Sequence, residues 1–185
     1  MPEISVFTPD NPLPPAYECQ IRAYIRFLWY DGYAYDVDEP LVPPERHPHF
    51  VVLVERHALI SAARVSWVMM QYRGQDYKTY ILGDVFTYPA FRRKGYGLQV
   101  IQRATELIRA DPTADFGVLF TGYDQGAFYQ QCGWEALPDL VATQGDPGKT
   151  ETKRALGMMQ FLSNSARAVR QQITTDSVHF PGYGW

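Results

Sequence analysis

The sequence predicts a mixed α/β (α+β) fold: a mostly antiparallel central sheet flanked by helices, with one parallel pair of strands inside it. Two observations predict this. Residues 50–87 hold three apolar runs separated by short reversals, the pattern of an antiparallel meander. Residues 77–121 read strand, helix, strand, and a right-handed crossover makes the two strands of such a unit parallel.

The first element is an amphipathic helix over residues 17–30, with Ile21, Tyr24, Ile25 and Leu28 on one face and Arg22 and Arg26 off it. Its stop is "YDG" at Tyr30 to Gly32. Residues 33–49 are acidic, aromatic and Pro-rich, and read as an irregular loop with one short helical turn. Strands follow over residues 50–54, 58–70 and 77–87, with reversals at "ERH" and "YRGQD", and Pro89 ends the strand region. The helix over residues 95–110 has a buried stripe of Val100, Ile101, Ala104, Leu107 and Ile108, and Asp111-Pro112 stops it. Residues 116–121 form a short apolar strand of the fully buried kind. A short helix over 124–131 ends at Gly133, "DPGKTET" is a loop, residues 156–162 suit a strand and 163–173 a short helix. The tail, about 174–185, shows no period.

Composition bounds the function. The 185 residues suit one domain over 1–185, and 46% hydrophobic with 20% charged residues reads as globular. The net charge of −3 gives no global reason to seek nucleic acid or an anionic membrane. The first residues lack the basic start and apolar stretch of a signal peptide. The aliphatic run at Phe50 to Val54 falls far short of the ~20 residues a membrane span needs. Cys19 and Cys132 lie far apart, which fits reduced thiols in a cytoplasmic protein better than a disulfide framework.

Against that acidic background, Arg92, Arg93 and Lys94 stand immediately before Gly95-Tyr96-Gly97 and the start of a helix. A helix N-terminus carries unpaired N–H groups and a positive dipole end, and glycines let phosphate oxygens approach the backbone. The cations and glycines together read as a pyrophosphate cradle. The bland alternative is a helix start with solvated cations and a turn glycine. The Walker pattern is absent, and Val100 stands where the dinucleotide fingerprint needs its third glycine.

Arg92-x-x-Gly95-x-Gly97, with "VFTYP" upstream, resembles the acyl-CoA motif of the GNAT superfamily of N-acyltransferases. Val85, Thr87 and Pro89 take that motif's strand positions, and Thr87 replaces the usual Val. "FYQQCGW" at Phe128 to Trp134 is similar to a second family segment, Phe/Leu-Tyr-x-x-x-Gly-Phe. The resemblance implies the GNAT fold, with splayed parallel strands at the CoA site. It implies acetyl-CoA as cosubstrate, its pantetheine arm along Val85, Phe86 and Thr87, and its pyrophosphate held from Arg92 and Arg93 through Lys94, Gly95, Tyr96 and Gly97 to Leu98. The thioester would then lie near Asp124 and Phe128.

The same resemblance makes Tyr129 the general acid that protonates the leaving thiolate, since a Tyr hydroxyl, pKa near 10, holds its proton at neutral pH. On its own residues, in a chain rich in Tyr, Tyr129 reads as a core aromatic on a short helix. Where many relatives carry a carboxylate base, this chain has Gly83 and Asp84. Asp84 can take a proton through water or bind the acceptor ammonium; its alternative is a carboxylate satisfied by backbone at a strand kink. His47 and His49 flank Pro48 in a polar loop, and no metal is expected there. Cys132 reads as a packing residue.

The acceptor is expected to be a small molecule with a primary amine, cationic because Asp31, Tyr33, Tyr35 and Asp36 fall in the loop that lines the acceptor cleft in this family. Trp185 closes an aromatic tail, "HFPGYGW", distantly similar to the tail of aminoglycoside N-acetyltransferases acting on the 2-prime amine. That tail is expected over the acceptor cleft, with the surface of a homodimer partner as its alternative place. Two other functions stay open: acetylation of a protein or peptide amine, and a CoA-binding module without catalysis.

Overall fold

The computed structural model describes residues 2–29, 40–146 and 148–182. The strands, in chain order, are β1 (Glu3–Phe7), β2 (His49–Glu55), β3 (Ala58–Tyr72), β4 (Gln75–Thr87), β5 (Phe116–Thr121), β6 (Glu135–Leu137), β7 (Val141–Asp146), β8 (Lys149–Thr152), β9 (Leu156–Phe161) and β10 (Ser177–Pro181). The helices are α1 (Pro15–Leu28), α2 (Tyr96–Ala110), α3 (Gly126–Gln130), α4 (Asn164–Ala168) and α5 (Arg170–Ile173). Among the described residues, a seven-stranded sheet runs β1-β2-β3-β4-β5-β9-β6, and a second, three-stranded sheet runs β10-β7-β8.

The meander expected over residues 50–87 is present as β2, β3 and β4, all antiparallel. Both of its reversals use left-handed backbone: Arg56 and His57 in one, Arg73 and Gly74 in the other. Two consecutive positive-φ residues match the right-handed twist of a hairpin. β4 and β5 are parallel, paired at Thr79↔Phe116, Tyr80↔Gly117 and Ile81↔Val118, where the pairing ends. Beyond that point the ends of the two strands diverge, and the gap between them is the expected splay.

β4 also carries a bulge. Ala62 pairs with Phe86 and Arg64 with Gly83, so one residue of β3 faces two of β4, Asp84 and Val85. Asp84 sits at φ 50, a left-handed conformation that Asp tolerates better than most residues.

One face of the large sheet packs on α2, with Val51, Leu53, Val65 and Leu82 against Val100, Ile101, Ala104 and Ile108. Trp134 joins this core, and its indole N–H donates to Thr105 Oγ1 at 3.0 Å. That bond explains why Thr105 is buried on α2, whereas the expected Leu107 is only half-buried. The opposite face is shared. Ile21, Tyr24 and Ile25 of α1 cover Phe50, Val52, Ala62 and Phe86. The small sheet with α4 and α5 covers Met70, Ile81, Phe116 and Val118 through Ala142, Val178 and Phe180.

Four expectations need correction. β1, to which the sequence reading assigned no element, is an edge strand on β2, with little burial to give it a pattern. "DPGKTET" contains β8, which folds back on β7 with Asp146 opposite Lys149; all its residues are exposed, so it carries no hydrophobic signal. The tail is not irregular over Ser177–Pro181: β10 pairs in parallel with β7, and Val178 and Phe180 are 1% and 0% exposed. The aromatic Phe180 therefore serves the second core rather than an acceptor cleft. Residues 163–173 form two short helices, the first capped by Ser163 Oγ, which accepts from Ala166 N at 3.0 Å. The short helical turn expected in the loop before β2 is the 3₁₀ turn Pro44–Arg46.

Candidate active site

α2 begins at a loop built for backbone exposure. Arg93 and Gly95 both have positive φ, at 62° and 79°. Gly95 is the N-cap of α2, no side chain caps the helix, and its first turn holds no acidic residue. The first N–H groups of a 15-residue helix are thus left for an anion. Gly97 is required by space: a Cβ there would lie 3.0 Å from Thr87 Oγ1 and 3.3 Å from Phe128 Cζ.

These groups border one cavity of about 620 Å³. The splayed end of β4 supplies Val85, Phe86 and Thr87; the cradle supplies Arg92, Arg93 and Gly95; α2 supplies Tyr96, Gly97 and Leu98; α3 supplies Phe128 and Tyr129. Two expected residues stand apart. Lys94 points its ammonium at the ring of Phe91, 5.5 Å from the centroid. Asp124 is exposed, beside Gly122. The cavity also takes Leu28, Trp29, Phe91 and Gln125, which sequence reasoning missed. The buried stripe of α1, expected to include Leu28, ends at Ile25, and Leu28 lines the cavity instead. An apolar residue one turn beyond the last buried position, next to a helix stop, was the available signal.

The backbone carbonyls of Phe86 and Thr87 are already engaged. Phe86 O accepts from Ser61 Oγ at 2.7 Å. Thr87 O accepts from Arg92 Nε at 3.0 Å and from Tyr24 Oη at 3.2 Å, which fills its two lone pairs.

Tyr129 is 7% exposed, and its ring meets Phe128 edge-on at 5.4 Å. Burial pushes its hydroxyl pKa up, and a hydrogen bond with the Thr121 side chain opposes that in part. The phenol therefore keeps its proton at neutral pH. Burial likewise raises the Cys132 thiol, against the nearby Arg109 cation, so this cysteine is a core thiol and not a thiolate.

Asp84 lies beside the cavity without lining it. Its Oδ2 is 2.6 Å from Nε of Arg64, and Arg64 Nη1 donates to Ser66 Oγ at 2.9 Å. The carboxylate is held by a side chain, not by backbone at the kink. His47 stacks on Trp67 at 4.5 Å, and His49 bonds the His47 carbonyl. Among the described residues, no group of three His, Cys, Asp or Glu is placed to hold a metal ion. No described helix is long and apolar enough to cross a membrane. The expected acceptor residues Asp31, Tyr33, Tyr35, Asp36 and Trp185 lie outside the described residues.

A splayed parallel pair, a glycine-rich helix start at its mouth and a buried tyrosine across from it define the acyl-CoA N-acyltransferase class. Residues 27–137 match the acetyltransferase (GNAT) domain family, and the chain belongs to that family. It is an acyl-CoA-dependent acetyltransferase. Solved structures show the same fold. Escherichia coli ElaA aligns with a TM-score of 0.62 at 14% identity, over 86% of this chain and 99% of that one. An acyl-CoA N-acyltransferase from Pseudomonas aeruginosa aligns with a TM-score of 0.60 at 18% identity, over the same shares. Arabidopsis thaliana NAA60, in complex with acetyl-CoA, aligns with a TM-score of 0.58 at 11% identity, over 86% and 99%. No curated protein matches the chain.

Proposed function

We propose that this chain moves an acetyl group from acetyl-CoA to the primary amine of a small, cationic molecule, by direct attack in a ternary complex. One observation carries the reading: a single cavity joins the uncapped start of α2, the free end of β4 and the Tyr129 ring. The α2 amides and Arg93 suit the pyrophosphate, and the end of β4 at Val85, Phe86 and Thr87 suits the pantetheine arm.

In the reaction, the neutral amine nitrogen bonds to the thioester carbonyl carbon and the C–S bond breaks. The sulfur takes a proton from Tyr129 Oη. The new amide nitrogen loses its extra proton to water, and the phenolate regains one from water. Asp84, ion-paired with Arg64, orients the ammonium or that water. The cationic character of the acceptor rests on Asp31 and Asp36 in the sequence.

A panel of amines assayed for CoA release tests the reading. Turnover with cationic small-molecule amines supports it. Release only with peptide N-termini or lysine side chains overturns the acceptor class. CoA binding without release for any amine overturns catalysis.

A further inference from the structure

Arg92 opens the cation run at the cradle, and its charge alone would assign it to phosphate. Its hydrogen bonds run into the protein instead. Two of its three guanidinium nitrogens are engaged there: Nε donates to Thr87 O at 3.0 Å and Nη2 to Tyr24 Oη at 2.9 Å. Tyr24 completes the triangle by donating its own hydroxyl proton to Thr87 O at 3.2 Å. Each group is used according to its chemistry. The phenol spends its one proton and one lone pair, and the carbonyl spends both lone pairs.

Tyr24 is 4% exposed and belongs to α1, far from the cradle in sequence. Its ring stacks on Phe86 at 4.3 Å and leans on Tyr88 at 4.4 Å. A second brace runs on the other side of the same strand end, where Thr87 Oγ1 meets Ser61 Oγ at 2.9 Å. Thr87 is thereby clamped from its carbonyl and its hydroxyl, at the place where β4 has lost β5 as a neighbour. There β4 keeps β3 as its ladder partner on one side only, with Ser61↔Thr87 and Ala62↔Phe86, and the bonds to Thr87 add support on a strand end whose other edge is open.

We propose that Tyr24 is a positioning residue for acetyl-CoA, and that with Arg92 it forms a strut fixing the free end of β4 as the seat of the pantetheine arm, Arg92 acting through Thr87 rather than on phosphate. This inference rests on the acetyl-CoA reading of the cavity. It assigns a role to a residue of α1 that touches neither phosphate nor thioester.

The strut and the phosphate contact differ in what they do to a thioester without phosphate. The test compares acetyl-CoA with S-acetylpantetheine, which lacks the pyrophosphate and nucleotide, in wild type, Tyr24→Phe and Arg92→Lys. Calorimetry with CoA gives a binding readout independent of turnover. Phe keeps the ring on Phe86 and removes only the hydroxyl; Lys keeps the charge and removes the fork. The strut requires both variants to raise the KM of both thioesters by a similar factor, about three- to tenfold, with kcat nearly unchanged and CoA affinity weakened to match. If Arg92→Lys behaves as wild type, or if only acetyl-CoA and not S-acetylpantetheine is affected, the strut is wrong and Arg92 is a phosphate cation. If neither thioester responds to Tyr24→Phe, Tyr24 has no positioning role. Wild-type protein that binds no CoA overturns the acetyl-CoA reading itself, and this inference with it, and that result is separable because it appears before any substitution.

Discussion

Arg64 Nε and Asp84 Oδ2 form an ion pair 2.6 Å long, with side chains only 3% and 9% exposed, at the residue where β4 bulges. Gly83 makes room for it, since a Cβ there would collide with the guanidinium of Arg64. Removing Asp84 takes its carboxylate away from a guanidinium that is buried. Asp84→Ala is expected to lower stability by about 3–5 kcal/mol, read by denaturant unfolding. A companion Arg64→Met, Asp84→Ala variant recovers most of that loss. If Asp84→Ala unfolds at the wild-type denaturant midpoint, the pair does not hold the bulge.

Gly97→Val is expected to weaken CoA binding by at least tenfold in calorimetry, with helix content by circular dichroism unchanged. The added methyl groups must displace Thr87 and Phe128, two walls of the cavity, as well as crowd the pyrophosphate. Equal affinity in this variant would move the site elsewhere.

Tyr129→Phe is expected to lower kcat by about 10²–10⁴ with the acetyl-CoA KM little changed. The pH profile carries a second check. A phenol acid works only while protonated, so activity is present below its pKa and lost as pH rises through it. Burial raises that pKa above its ordinary value near 10, so the alkaline fall due to Tyr129 belongs above pH ~10. A wild-type alkaline limb near neutral pH that vanishes in Tyr129→Phe would contradict the environment described for this residue.

Asp111 closes α2, accepting from Lys78 Nζ and Tyr80 Oη, each at 2.7 Å. Burial works against its charge, but the hydrogen bonds from Lys78, Thr113 and Tyr80 outweigh it and hold the carboxyl well below the usual range. A depressed carboxylate contributes stability above its unfolded pKa, near 4, and loses it as pH falls toward the folded value. Asp111→Asn is therefore expected to destabilise by about 2 kcal/mol at pH 7, with the gap to wild type narrowing below pH ~4. A gap that stays constant down to pH ~2 would remove Asp111 as its source.

The legible part of this protein was its center. The meander, the crossover helix and the buried strand after it were readable because their faces are buried and their periods unbroken, as Val100, Ile101, Ala104 and Ile108 illustrate. Most of the residues that line the cavity were readable too, since its helix start needs glycines for conformation at 95 and for space at 97. What sequence missed has a common cause: residues whose role is set by partners far along the chain. Tyr24 and Leu28 sit on one helix with apolar neighbours, and only the tertiary fold separates a strut from a wall. Asp84 was readable as an exception in an apolar strand, but Arg64, twenty residues before it, gave no sign of being its counterion. β8 and β10 were missed because one has no buried residue and the other is five residues long and partnered in parallel by a strand 36 residues earlier.

The bulge at Asp84 also sets a rule of parity. Ahead of it, the even-numbered Tyr80 and Leu82 face α2; after it, the odd-numbered Val85 does, and Phe86 turns to Tyr24. One surplus residue thus decides which side of the sheet each later side chain serves. Removing it would send Val85 toward α1 and Phe86 toward α2, and would turn Thr87 away from Gly97, although every residue in the motif would still be spelled correctly. In this stretch chain length is a tighter constraint than chain identity: a conservative substitution changes one contact, whereas a single deletion transposes two cores and rebuilds one wall of the cavity.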